Sequence, residues 1–367
     1  MTPHEIGSSI FGALDLEVAA DGTAPLRVPA WTRPQHADGG MGRVSAQGSG
    51  VRVRVVTAAS TLTLEATFTR TASTVHPARP FVVVAETETG STGATLDEGD
   101  VLREAPDRTA SRVPGIRSLV HFDLPPSPGE RVVTLWLPTS AATVIHWLSA
   151  DAPLRPAPAE GQRWVHYGSS ISHGSDLPDP RGPWPQQVAR ALGLDLVNLG
   201  LAGNAMLDGF VARSIGQTPA DLITLKIGIN IVNGDTMRAR TFVPAVHTFL
   251  DLVREGHPST PVVVITALAC PIHEDATGPT REASPGKAGA TPRELPPGDG
   301  SLTLRRTRAL LARVVEARQD AHLHLVDGLS LLGVDDGHLP DNLHPDQGGH
   351  DLIAARFAPV AAQLVRP

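Results

Sequence analysis

Four short stretches of this sequence carry side chains that could act together on a carbonyl carbon. Gly168-Ser169-Ser170-Ile171-Ser172-His173-Gly174 follows directly on the strand-like Trp164-Val165-His166-Tyr167. A serine between small residues at a strand end can expose its hydroxyl, and Ser170 is the candidate nucleophile. A hydroxyl attacks poorly until a base takes its proton. Asp341-Asn342-Leu343-His344-Pro345 offers that base. The three-residue spacing can put carboxylate and imidazole on one side of a turn. Asp341 would then fix the tautomer of His344 and leave the other ring nitrogen for Ser170. Pro345 narrows the backbone choices of His344. Lys226-Ile227-Gly228-Ile229-Asn230 supplies Asn230, a neutral amide donor suited to a developing oxyanion. Asn198-Leu199-Gly200-Leu201-Ala202-Gly203-Asn204 supplies Gly203, where the missing Cβ lets a backbone N–H approach a ligand. Taken singly, each stretch also reads as an ordinary loop.

These residues need a scaffold, and the second half of the chain predicts one. Strand candidates at Trp164–Tyr167, Leu194–Leu199, Leu222–Ile227, Val262–Ala267 and Leu323–Val326 alternate with helical periods. Val243, Val246, Leu250 and Val253 mark one apolar stripe. Leu304, Leu311 and Val315 mark a second, and Ile353, Phe357, Val360 and Leu364 a third. Alternating β and α with buried strands implies a parallel sheet with helices on both faces. Active groups then gather at the carboxyl ends of the strands, where the four stretches could fall, the fourth of them before the last helix.

The first half differs. Val51, Val53 and Val55 alternate with Arg52 and Arg54, the period of a half-buried strand. Thr61–Glu65, Phe81–Val84, Val133–Leu137 and Val144–Leu148 add short strands separated by turn-rich pieces, which together suggest an all-β, jelly-roll-like sandwich. Pro153 to Gly161 is a Pro/Ala-rich connector. The expected organisation is a β-sandwich over residues 1–152, a linker over 153–162 and an α/β domain over 163–367. Asp275–Gly300 shows no apolar period and is expected to lack regular structure, as a lid or a disordered stretch.

Composition removes several function classes. The 367 residues carry a formal charge of −7 with no long basic run, which argues against a nucleic-acid partner. Aromatics make up only 4 %, with Tyr167 the sole tyrosine, so a Tyr/Trp-rich sugar platform is not evident. Cys270 is the single cysteine and excludes an intrachain disulfide. The run Pro261–Pro271 is far shorter than the roughly 20 residues of a membrane span. Met1–Glu5 begins no basic-then-apolar leader, so the expectation is a cytoplasmic protein without membrane attachment.

Order and spacing of the four stretches resemble the SGNH hydrolases, also called GDSL-like lipases and acylhydrolases. The family's blocks are a GDS-like serine motif, a later glycine, a GxND-like asparagine and a C-terminal DxxH. Gly168-Ser169-Ser170, Gly203, Gly228-Ile229-Asn230 and Asp341/His344 resemble them across roughly residues 163–367. The resemblance implies a flavodoxin-like three-layer α/β/α domain with Ser170 as nucleophile and Asp341 and His344 as its acid–base pair. It also implies an oxyanion hole made of the Ser170 and Gly203 N–H groups and the Asn230 side chain. Ser169 stands where GDS has Asp, and Ile231 where GxND has Asp, so the pocket is altered while the catalytic groups remain. The serine segment is not the G-x-S-x-G elbow of the α/β-hydrolases. Some carbohydrate esterases, and a salicylyl acyltransferase of tetracycline tailoring, share the layout with a β domain in front.

The implied activity is hydrolysis of an O-acyl ester, or transfer of the acyl group from acyl-CoA to a natural-product hydroxyl. The expected partners are therefore a small acyl ester or acceptor, with no cofactor and no metal beyond acyl-CoA as co-substrate. A carbohydrate-binding protein with a vestigial catalytic domain is the reading from another class, and the intact set of blocks argues against it. Other features have plainer readings. His322 and His324 lack a third zinc ligand. Asp335 and Asp336 compete with Asp341 for His344 at the wrong spacing. His173 is a loop or pocket-lining residue, and Cys270 a core thiol. Arg305, Arg306 and Arg308 are a solvated helix face or a contact for a coenzyme A phosphate.

Overall fold

The computed structural model describes residues 1–73, 77–105, 109–292 and 298–365. The chain divides into two compact units. One comprises Met1–Glu160, Gly174–Gly182 and Asp195–Asn198. The other comprises Gly161–His173, Pro183–Leu194 and Leu199–Pro367.

The first unit is built on two sheets. One runs Ile10–Phe11, Arg52–Thr57, Arg131–Trp136, Phe81–Thr87, Gly90–Leu96. The other runs Asp15–Ala19, Gly22–Leu26, Ala141–Ala150, Thr61–Ser73, Asp100–Glu104, Ala110–Val113, with Ser118–Asp123 also paired to Thr61–Ser73. Val53, Val55, Val83 and Val133 from the first sheet share one core with Leu62, Leu64, Phe68, Val120 and Ile145 from the second. Strands that place alternate apolar residues inward on two facing sheets form a sandwich. Arg52–Thr57 departs from its expected half-burial, because Arg52 and Arg54 are buried as well. Both guanidinium groups pair with Glu160, and Arg54 also donates to the carbonyl of Pro158. The Pro/Ala-rich connector thus lies along this sheet, with Arg155–Pro156 paired to Val56 and Val55.

A second architecture follows. Five strands line up in the order Asp195–Gly200, Arg163–Gly168, Leu222–Lys226, Val262–Ile265, Leu323–Val326. Pairing of Arg163–Gly168 through to Leu323–Val326 is parallel. In chain order this is second, first, third, fourth, fifth, the flavodoxin-like doubly wound arrangement. Helices pack in two groups. Gly209–Gln217, Ala239–Gly256 and Leu304–Arg318 form one, and Trp184–Leu192 with Gln347–Leu364 the other. Burial on both faces explains why Leu222–Lys226 and Val262–Ile265 read as apolar runs, while Leu323–Val326 lies at the edge with Leu325 exposed. Trp164 stacks on Phe357 and meets Trp184, while Tyr167, on the opposite face of the same strand, packs on Phe249. The buried stripe of Ala239–Gly256 is Phe242, Val246, Phe249, Leu250 and Val253, with Val243 at its margin.

One expectation needs correction. Asp275–Gly300 is not without regular structure, because Thr280–Ser284 and Lys287–Ala290 form an antiparallel hairpin across the turn Pro285-Gly286. The first of these strands is almost wholly exposed, so no buried face imposed an apolar alternation on the sequence. Residues 293–297 of the same stretch lie outside the described residues. Among the described residues, no helix is long and apolar enough to cross a membrane.

Candidate active site

Arg163–Gly168 ends at Gly168, and Ser170 opens the short helix Ser170–His173. The three serines of this turn are separated by their partners. Ser172 is buried and hydrogen-bonded to His166 Nε2 at 2.7 Å. Ser169 is buried and accepts from Lys226 Nζ at 3.2 Å. Ser170 is half-buried, and its Oγ lies 2.9 Å from His344 Nε2.

His344 is held from the other side by Asp341. Nδ1 of His344 lies 2.7 Å from Asp341 Oδ2, and Oδ1 accepts the backbone N–H groups of Leu343 and His344 at 2.9 and 2.6 Å. Burial opposes ionisation of Asp341, but these bonds from His344 and Leu343 outweigh it and bring the carboxyl down to about 2. An ionised carboxylate can only accept, so Nδ1 carries the proton and Nε2 is left as the acceptor of the Ser170 O–H. The side chains of His344 and Asp341 are 27 % and 37 % exposed, which leaves the site open to water.

Two further hydrogen bonds join the remaining blocks to this centre. Leu201 N donates to Gly168 O at 2.7 Å, fastening the loop that contains Gly203 to the end of the nucleophile strand. Ala205 N donates to Asn230 Oδ1 at 3.1 Å. That bond settles which end of the Asn230 amide is oxygen, since a backbone donor needs an acceptor, and leaves Nδ2 as the donating end. Gly203 has φ 69°, a left-handed conformation that L side chains adopt only under strain, and a Cβ there would meet nothing within 4 Å. The glycine is required by the backbone rather than by space. Ser170 and Asn230 thus sit in short helices that follow strands, and Gly203, Asp341 and His344 in loops.

The rival candidates have other partners. Asp336 pairs with Arg356 and accepts from Gly333 N. Arg305 binds Asp275, Arg306 donates to Ser301 O, and Arg308 to Ala267 O, Leu268 O and Glu274. These three guanidinium groups are engaged within the protein. His173 is fully buried. Cys270 is buried too, and burial, together with the nearby Glu274 and Asp341, pushes its thiol up to about 12.

Sequence reasoning missed the polar layer next to the nucleophile. His166 spans Thr224 Oγ1 at 2.6 Å and Ser172 Oγ, and Trp164 Nε1 donates to the same threonine at 2.9 Å. Burial, with the charge of Lys226, holds His166 well below the ordinary histidine range, so it is neutral. Lys226 itself is 2 % exposed, and burial lowers its ammonium to about 7. The available signal was a lysine, one of only two, together with Thr224 inside the mostly apolar run Leu222–Ile227.

A doubly wound sheet with a serine at the end of its first strand, a donor loop after each of the next two, and an Asp-x-x-His loop before the last helix defines an SGNH-type enzyme. The chain belongs to the GDSL-like lipase/acylhydrolase family, whose model matches residues 166–352. It is similar in structure to the salicylyl-acyltransferase SsfX3 from a tetracycline biosynthetic pathway. The two share 26 % identity and a TM-score of 0.80, over 97 % of this chain and 96 % of that one. A Bacteroides ovatus ATCC 8483 protein described as a GDSL-like lipase shares 18 % identity at a TM-score of 0.70, over 99 % and 97 % of the chains. A family two carbohydrate esterase from Clostridium thermocellum shares 12 % identity at 0.59, over 86 % and 93 %. The last two likenesses are of fold alone. No curated protein sequence matches the chain significantly.

Proposed function

We propose that the protein hydrolyses an O-acyl ester of a small molecule or glycoside through an acyl-enzyme on Ser170. The observation that carries this reading is the continuous relay from Ser170 Oγ through His344 to Asp341, at 2.9 and 2.7 Å. Ser170 Oγ attacks the ester carbonyl carbon while His344 Nε2 takes its proton. The carbonyl oxygen becomes an oxyanion facing the Ser170 and Gly203 N–H groups and Asn230 Nδ2. The C–O bond to the alcohol breaks, and His344 returns the proton to the leaving oxygen. Water then attacks the acyl-enzyme, gives its proton to His344, and the acid leaves as Ser170 is reprotonated. Exposure of His344 and Asp341 favours water as the acceptor. A donor needed mainly in the transition state affects turnover, so Asn230→Ala lowers kcat by roughly 10²–10³ with KM little changed. Steady-state kinetics would instead make Asn230 a substrate-binding residue if only KM moved.

Transfer to a hydroxyl acceptor, with acyl-CoA as donor, is the second reading. The 26 % identity to an acyltransferase over nearly the whole chain favours it. Both readings share one acyl-enzyme, and product partitioning separates them. At about 1 mM acceptor against ~55 M water, a transferase must prefer the acceptor by well over 10⁴ per mole, or about 6 kcal/mol, merely to match hydrolysis. Free acid is the expected product with a panel of activated acyl esters and acyl-CoAs. Dominance of the ester product with any acceptor would reverse the order of the two readings.

A further inference from the structure

The hairpin Thr280–Ser284/Lys287–Ala290 makes little core of its own, since Gly289 is its one buried residue. Two strands without a buried face are marginal in water, so this pair must be held by what it touches. Ala288 turns both of its backbone groups away from the hairpin. Its N–H donates to Asp341 O at 2.8 Å, and its carbonyl accepts Asn342 Nδ2 at 3.1 Å. Lys287 Nζ donates to Pro340 O. Three consecutive residues of the acid–base loop are thus tied to two of the hairpin.

Asn342 is the point on which that loop turns. It has φ 69°, a region in which asparagine is better tolerated than most side chains. Its N–H donates to Leu339 O at 3.0 Å, and its carbonyl accepts Cys270 Sγ at 3.5 Å. This turn lets Asp341 Oδ1 reach the N–H groups of Leu343 and His344 while Oδ2 reaches the imidazole. The root of the hairpin is anchored separately. Thr280 Oγ1 bonds the buried His273 at 2.7 Å, and Thr291 N donates to Pro279 O at 3.0 Å. Gly278 lies so close to the carbonyl oxygen of Val232 that a Cβ has no room. Val232 belongs to Ile229–Asn233, the helix that carries Asn230. One end of the segment therefore rests on the helix of Asn230, and its second strand on the loop of Asp341.

We propose that the hairpin is a strap that fixes the acid–base loop, with Ala288 and Asn342 as positioning residues for His344. The inference rests on His344 serving as base to Ser170. Asn342→Gly tolerates the left-handed backbone and removes the side chain whose amide reaches Ala288. Ala288→Pro removes the N–H that reaches Asp341 and leaves the carbonyl. Misplacing a reacting group by about 1 Å costs on the order of 10²-fold, so each variant is expected to lose about 10–100-fold in kcat, with KM nearly unchanged. A carboxylate beside an imidazole favours its protonated form, so loosening Asp341 also moves the acidic limb of the kcat/KM profile to lower pH. His344→Ala is measured alongside. A fall in kcat with the shifted limb supports the strap. Wild-type kcat and profile in both variants, with His344→Ala inactive, overturn the strap and leave the triad standing. A lower kcat on an unmoved limb also overturns it, because a purely structural loss would do that. Retained activity in His344→Ala overturns the triad reading itself, whatever the hairpin variants do.

Discussion

Ser170→Ala is expected to remove nearly all turnover, on the order of 10⁶-fold, as loss of the nucleophile does when a triad acts as a unit. The neighbouring serines cannot take over. Ser169 is bonded to Lys226 and Ser172 to His166, and both are buried, whereas Ser170 is half-buried with its Oγ 2.9 Å from His344 Nε2. Folding should be unaffected, because the change deletes one hydroxyl from a half-buried position and keeps the Cβ. Turnover of an activated acyl ester measures the first claim, and the melting temperature the second. Intact-mass spectrometry adds a direct reading: wild-type protein gains the mass of one acyl group, and the variant gains none. A variant retaining more than about a tenth of wild-type activity would sink the assignment, since the oxyanion hole and binding alone leave far less.

Asp341→Asn tests the tautomer rather than the nucleophile, with an expected loss of about 10⁴-fold in kcat. Oδ1 of Asp341 already accepts two backbone N–H groups, and an asparagine keeps its oxygen there. Its NH2 then faces His344 Nδ1, where Oδ2 now sits at 2.7 Å. A donor opposite Nδ1 forces the proton onto Nε2, and a protonated Nε2 cannot accept the Ser170 proton. The loop geometry survives while the base is disabled. KM should change little, because nothing in the substrate's ground-state contacts has been removed. A loss smaller than tenfold would show that Asp341 does not set the protonation of His344.

Some of this was settled by short stretches of chain. The Asp341–His344 pair closes over three residues through hydrogen bonds from its own backbone, so its spacing made the pairing of carboxylate and imidazole legible. Leu222–Lys226 and Val262–Ile265 were legible because burial on both faces demands continuous apolar residues, whereas the edge strand Leu323–Val326 is only partly buried. Asn230 could be singled out because a neutral donor is a property of residue type, and Gly203 because it lacks a Cβ, although what requires glycine there is the left-handed backbone. The helices Trp184–Leu192 and Gly209–Gln217 were not read. Each is only nine residues long, too short for its apolar spacing to stand out from the neighbouring strands.

Tertiary structure decided the rest. Ser170 and His344 are 174 residues apart, and nothing local says that the first strand and the last helix bring them to 2.9 Å. The choice among three adjacent serines depended on Lys226 and His166, which reach the nucleophile turn only through the order of strands in the sheet. Arg52 and Arg54 read as the exposed side of a strand, and their burial depends on partners more than 100 residues away. The hairpin was invisible because its first strand buries no face and each of its ties to the acid–base loop uses at least one backbone group, with a side chain as the other partner for Lys287 and Asn342. Backbone groups are the same in every residue except proline, so the sequence records them only where the fold brings them together.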